Sequence, residues 1–137
     1  PTGRESILVV EDEQAVRTLI SSMLREQGYD VIEASDGDEA LRKAEEAPSP
    51  IQLLITDLVM PRLGGSELTQ RLRSQRPHVK VLYMSGYSDD TLLRQEGLPV
   101  GADFLQKPFT PEVLSCKVRQ VLDKRGTKHE ESTMEVI

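Results

Sequence analysis

Cysteine is nearly absent: Cys116 is the single one in 137 residues. An internal disulfide is therefore excluded, and a reducing, cytoplasmic compartment fits. Long apolar runs are missing as well, and none approaches the roughly 20 residues that span a bilayer. Pro1-Thr2-Gly3-Arg4 is not followed by a signal-like apolar stretch and cleavage site, so no secretory signal is expected. Basic residues are in deficit, with 17 Lys and Arg against 23 Asp and Glu. A net charge of −6 argues against direct nucleic-acid binding, because phosphate contacts need a basic face. The phosphate-cradling pattern GxxxxGK[ST] does not occur, which leaves Gly64-Gly65 as a turn. His78 and His129 have no partners at metal-ligand spacing. Internal repeats and low-complexity blocks are lacking too. The chain begins at Pro1 in place of Met, so we expect a piece of something longer.

What is present fits one globular domain: 37% apolar and 29% charged residues. The centre of the pattern is Leu53-Leu54-Ile55-Thr56-Asp57. It reads as a buried strand that ends on a carboxylate, after which Pro61 and Gly64-Gly65 forbid its continuation. Around it, strands and helices alternate. Ile7–Val10 reads as a strand ending at Glu11-Asp12. Val16, Leu19, Ile20, Met23 and Leu24 predict one apolar helix face, terminated by Gly28. A thinner strand holds Val31, Ile32 and Ala34. Asp36-Gly37-Asp38 then opens a helix with Ala40, Leu41, Ala44 and Ala47, closed by Pro48 and Pro50.

A helix over 66–75 turns Leu68 and Leu72 inward, and a strand over 79–84 ends at Ser85-Gly86. A short helix is expected over 89–96, followed by a loose connection through Gly97, Pro99 and Gly101. The fifth strand covers 103–106 and ends at Lys107-Pro108. Thr110 as N-cap and Pro111 at N1 start a last helix that buries Leu114, Val118, Val121 and Leu122 and ends at Gly126. Cys116, nearly opposite Leu114 and Val118 on that wheel, is expected to be exposed. The boundaries are thus a short extension over 1–4, the domain over 5–125 and a polar, flexible tail over 126–137. Five such βα units imply an α/β fold, a doubly wound parallel sheet, for which the flavodoxin-like strand order 2-1-3-4-5 is the natural choice.

The carboxyl ends of these strands collect polar groups at one rim: Glu11 and Asp12, then Asp57, then Ser85, then Lys107. Ligands of open α/β sheets bind at that edge. Carboxylates about 4 Å apart repel by roughly 4 kcal/mol per pair at an effective dielectric of 20. The cluster therefore asks for a cation. Oxygen-only ligands suit Mg²⁺, and a lysine beside it suits phosphoryl oxygens. The chemistry indicated is attack by an Asp57 oxygen on a phosphoryl group. Tyr87, two residues after Ser85, is expected to border the site.

Val10-Glu11-Asp12-Glu13, Thr56-Asp57-Leu58-Val59-Met60-Pro61, Met84-Ser85-Gly86 and Gln106-Lys107-Pro108-Phe109 resemble the motifs of receiver domains of two-component response regulators. The resemblance covers about 5–124. It implies Asp57 as phosphoacceptor, and Mg²⁺ held by Asp12, Asp57, the Val59 carbonyl and Glu11, the last directly or through water. It also implies Lys107 on the phosphoryl group, Ser85 as the switch hydroxyl, Phe104 as the switch aromatic and a cis Lys107-Pro108 bond. The implied partners are a histidine kinase or histidine phosphotransfer domain, and a downstream protein at the face of the 89–96 helix, fifth strand and last helix. Such a domain catalyses only its own phosphorylation and dephosphorylation. The acidic pair is Glu-Asp where Asp-Asp is commoner, and Phe104 replaces a common Tyr. The stretches 81–87 and 104–109 resemble receivers of hybrid sensor histidine kinases, so the expected parent is such a kinase or a stand-alone regulator.

Two rival readings share parts of this pattern. A haloacid dehalogenase-like phosphatase also uses an Asp nucleophile and Mg²⁺, but it carries a second acid two residues on, where Val59 stands here. A binding module that is never phosphorylated would have no reason to keep a mutually repelling cluster.

Overall fold

Runs such as Ser6–Val10 and Leu53–Asp57 are buried at every residue. A strand apolar on both faces needs cover on both faces. The computed structural model, described over residues 3–60, 62–86 and 102–124, supplies it. Strands β1 (Ser6–Val10), β2 (Asp30–Ala34), β3 (Leu53–Asp57), β4 (Lys80–Ser85) and β5 (Asp103–Gln106) form one sheet in the order β2-β1-β3-β4-β5. Every pairing is parallel. The helices are α1 (Gln14–Glu26), α2 (Gly37–Glu46), α3 (Gly65–Gln75) and α4 (Pro111–Leu122). The helix expected over 89–96, the loop after it, Pro61, Tyr87, His129 and the 126–137 tail lie outside the described residues.

Alternation along the strands sorts the core into two layers. Leu8, Val10, Leu54, Val81 and Tyr83 pack with α2 and α3. Ile7, Val9, Ile55, Leu82, Met84 and Leu105 pack with α1 and α4. Each fully buried Leu or Ile contributes about 1.5–3 kcal/mol.

Local chemistry fixes the ends. Gly28, at φ 98°, closes α1. Its N–H donates to Arg25 O, and the Tyr29 N–H donates to Leu24 O, the paired bonds of a Schellman cap. Asp36 caps α2 by accepting from Glu39 N at 2.8 Å, while Glu39 accepts from Ser35 N at 2.6 Å. Thr110 caps α4 by accepting from Val113 N. Lys80 Nζ donates to Leu122 O and Lys124 O, placing a cation on the negative end of α4.

Two expectations need correction. Leu19 is 58% exposed, and Ser21 is buried in its stead. At 100° per residue Leu19 stands well off the stripe centred between Ile20 and Leu24, so the helix turns it to solvent. The last helix ends at Leu122, with Asp123 as its C-cap, and not at Gly126.

Candidate metal and phosphoacceptor site

The sheet register assembles the site. Val10 pairs with Thr56, so Glu11 follows on beside Asp57. Ser85 pairs with Gln106, so Lys107 begins where β4 ends. Glu11, Asp57 and Lys107 each stand two residues beyond Val9, Ile55 and Leu105, which all face the α1/α4 layer. Period-two alternation therefore sends the three side chains to the same side. Ser85 and Phe104 have the parity of Tyr83 and the α2/α3 layer.

The contacts are short. Lys107 Nζ lies 2.6 Å from Asp57 Oδ1 and 2.7 Å from Glu11 Oε1. Glu11 is fully buried and Asp57 is 6% exposed, whereas Asp12 stands open to solvent. Carboxylate oxygens of Glu11, Asp12 and Asp57 lie within 4.8 Å of one another. The Glu13 N–H donates to Glu11 Oε2, and Arg17 donates to the Glu11 carbonyl at 2.6 Å. Sequence reasoning missed Arg17. Six residues from Glu11 on the first turns of α1, it carries no motif.

Crowding shows in the acidities. Burial and a hydrogen bond to Glu11 push the Asp57 carboxyl up to about 7, against the pull of Lys107. Burial also acts upward on Glu11, but its bonds with Asp57, Lys107 and Glu13 N outweigh that and hold its carboxyl below the usual range. The hydrogen bond to Glu11, then burial, raises Asp12. Burial would lower Lys107, yet its bonds to Asp57 and Glu11 raise it. One ammonium thus bridges Asp57 and Glu11, with the Asp12 carboxylate beside them. The hard oxygen donors and the excess of negative charge fit a small divalent cation such as Mg²⁺.

Backbone packing holds the loop after Asp57. Leu58 N donates to Met84 O, and Gly65 N donates to Leu58 O at 2.9 Å. A Cβ at Gly65 would collide with the Asp57 carbonyl oxygen, so only glycine lets α3 begin this close. Val59 is 45% exposed at the rim. Ser85 is buried, and its carbonyl accepts from Lys107 N at 2.8 Å. Phe104 is partly buried, its ring 5.6 Å from that of Tyr83. The Lys107-Pro108 bond is cis, as the resemblance implies. Cys116 is exposed, as expected. A cavity of about 350 Å³ lies at the opposite, amino edge of the sheet, bordered by Gln52, Arg76 and Lys80 and by none of the acidic cluster.

The model of the response regulator receiver domain matches residues 7–119. The chain belongs to this family. It is 40% identical to the alkaline phosphatase synthesis transcriptional regulatory protein PhoP of Bacillus subtilis, over 86% of this chain and 48% of that protein. It is 36% identical to the sensor kinase CckA of Brucella abortus, over 90% of this chain and 13% of that protein. The crystal structure of the receiver domain from hybrid histidine kinase CckA superposes with a TM-score of 0.72 at 37% identity, covering 86% of this chain and 99% of that one. The receiver thus spans about half of the one curated relative and an eighth of the other. It is a two-component signalling domain of flavodoxin-like fold, and neither rival reading is favoured. Among the described residues no helix is long and apolar enough to cross a membrane.

Proposed function

We propose that this receiver accepts a phosphoryl group on Asp57 from the phosphohistidine of a histidine kinase or histidine phosphotransfer domain. The observation that carries this is the double contact of Lys107 Nζ, 2.6 Å from Asp57 and 2.7 Å from Glu11. An Asp57 carboxylate oxygen attacks phosphorus, the P–N bond breaks, and the imidazole leaves with the bonding pair. An acyl phosphate remains on Asp57. Lys107, already on the Asp57 oxygen, is in reach of the phosphoryl oxygens and offsets their charge. Glu11, Asp12, Asp57 and the Val59 carbonyl would hold Mg²⁺, which when bound supplies positive charge to the phosphoryl oxygens. Water later hydrolyses the acyl phosphate.

Ser85 and Phe104 form the responding pair in this reading. The Ser85 hydroxyl moves toward a phosphoryl oxygen, Phe104 turns inward, and the face of β5 and α4 changes for a downstream protein. The domain runs over 5–125, between an extension at 1–4 and a tail at 126–137. Similarity to a sensor kinase and to a transcriptional regulator supports a hybrid histidine kinase or a response regulator as the parent.

Intact-mass measurement with acetyl phosphate decides the acceptor. Wild type with Mg²⁺ gains one phosphoryl mass, wild type without Mg²⁺ gains far less, and Asp57→Asn gains none. Undiminished uptake by Asp57→Asn would remove Asp57 from the role.

A further inference from the structure

Tyr83 is 4% exposed in the middle of β4, two residues before Ser85. Its hydroxyl donates to Thr69 Oγ1 at 3.0 Å. Thr69 Oγ1 donates onward to Gly65 O at 2.8 Å. Gly65 N donates to Leu58 O, and Leu58 N returns to β4 at Met84 O. Each hydroxyl spends its one proton in the same direction, so the chain is directional and complete. It starts on β4, crosses to the first turns of α3 and closes the mouth of the 58–64 loop that follows Asp57. At its start the Tyr83 ring lies against Phe104, with centroids 5.6 Å apart and planes at 31°. β4 and β5 pair Tyr83 directly with Phe104.

A core position here has no intrinsic need of a hydroxyl. Phenylalanine would fill the same volume without the cost of burying one. We propose that Tyr83 is a positioning residue: through Thr69 and Gly65 it fixes the loop that carries Val59, and through its ring it ties that loop to Phe104. The proposal rests on the reading of Asp57 and Val59 above. It gives Phe104 a second listener on the α3 side of the sheet, apart from the face of β5 and α4.

Tyr83→Phe keeps the ring contact and removes only the hydroxyl, while Thr69→Val cuts the chain one step later. Lys80→Met, at the far end of β4, serves as a control for general loss of stability. Three quantities are read: amide hydrogen exchange at Gly65 without added ions, the half-saturating Mg²⁺ concentration by calorimetry, and the rate of Asp57 modification by acetyl phosphate at saturating Mg²⁺. Tyr83→Phe is expected to speed Gly65 exchange about tenfold. Half-saturating Mg²⁺ should rise about threefold to tenfold, with the maximal rate unchanged within about twofold, which separates placement from chemistry. The double variant should be no worse than the worse single one, and Thr69→Ser should restore wild-type values. Unchanged Gly65 exchange in Tyr83→Phe, or an equal change in Lys80→Met, overturns the proposal. A wild type that takes up no phosphoryl group would overturn the acceptor reading alone. The exchange measurement needs no phosphate and still decides Tyr83.

Discussion

Asp57 sits where a charge is badly solvated, and its acidity records the strain. Its carboxyl titrates near 7 in the fold against an ordinary value of 3.8. Between those values the native state binds more protons than the unfolded chain, so this group makes stability fall as pH rises. The loss is complete above pH 7. Asp57→Asn removes the ionisation, and thermal unfolding at pH 8 should show a variant more stable than wild type by about 1–2 kcal/mol. The advantage should shrink as pH falls toward 5. Added Mg²⁺ should raise the melting temperature of wild type far more than that of Asp57→Asn, because only the former keeps the full donor set. A variant that is less stable than wild type at pH 8 would mean that Lys107 already compensates the charge.

Lys107 is the counter-charge to this cluster. Removing its ammonium leaves Glu11 buried beside Asp57 without a counter-charge. Lys107→Ala should still bind Mg²⁺, measured by calorimetry, but give no conformational response to phosphodonor in backbone NMR shifts. A normal response would exclude Lys107 from the coupling. Asp57 and Lys107 were legible in the sequence because strand ends and a motif marked them. The contact of Lys107 with Glu11 was not, since it depends on the length of the Glu11 side chain and on the register of strands 96 residues apart.

Elements were legible where local chemistry is strong. β5 falls on 103–106 as expected, because Lys107-Pro108 ends it, and Thr110-Pro111 start α4 as a cap and N1 pair should. Gly28 closes α1 because its φ of 98° is cheap only for glycine. Gly28→Ala should therefore destabilise the domain by about 1–2 kcal/mol in denaturant unfolding, with the midpoint lowered and the slope unchanged. The added Cβ would also meet Gly3 O at 2.6 Å. Leu19 escaped the reading because helical spacing tells which residues share a stripe, not how wide the buried part of the stripe is. Neighbouring elements set that width. Ser21, buried in α1, gives no signal in a hydrophobic pattern at all.

At the scale of the molecule, a parallel sheet covered on both faces was readable from five strand–helix units, whereas the order β2-β1-β3-β4-β5 came with the flavodoxin-like resemblance. What the pattern did not carry is the tie between distant helices and strands, such as Tyr83 to Thr69 and Lys80 to the end of α4. Such bonds join residues with no sequence relation. Lys80→Met should lower the melting temperature by a few degrees, as expected for losing a cation at a helix end, and leave phosphoryl uptake at the wild-type rate. A loss of uptake would show that the two ends of the sheet communicate.

Strand alternation places Glu11, Asp57 and Lys107 on one surface of the sheet and Tyr83, Ser85 and Phe104 on the other. A five-strand partition therefore runs between the acidic cluster with its lysine and the side chains of Tyr83, Ser85 and Phe104. In the proposed switch, a change at Asp57 reaches Ser85 around the carboxyl ends of β3 and β4 or through their plane. The proposed output face then straddles this wall, because Phe104 on β5 packs with the α2/α3 layer while α4 covers the side that bears the acids.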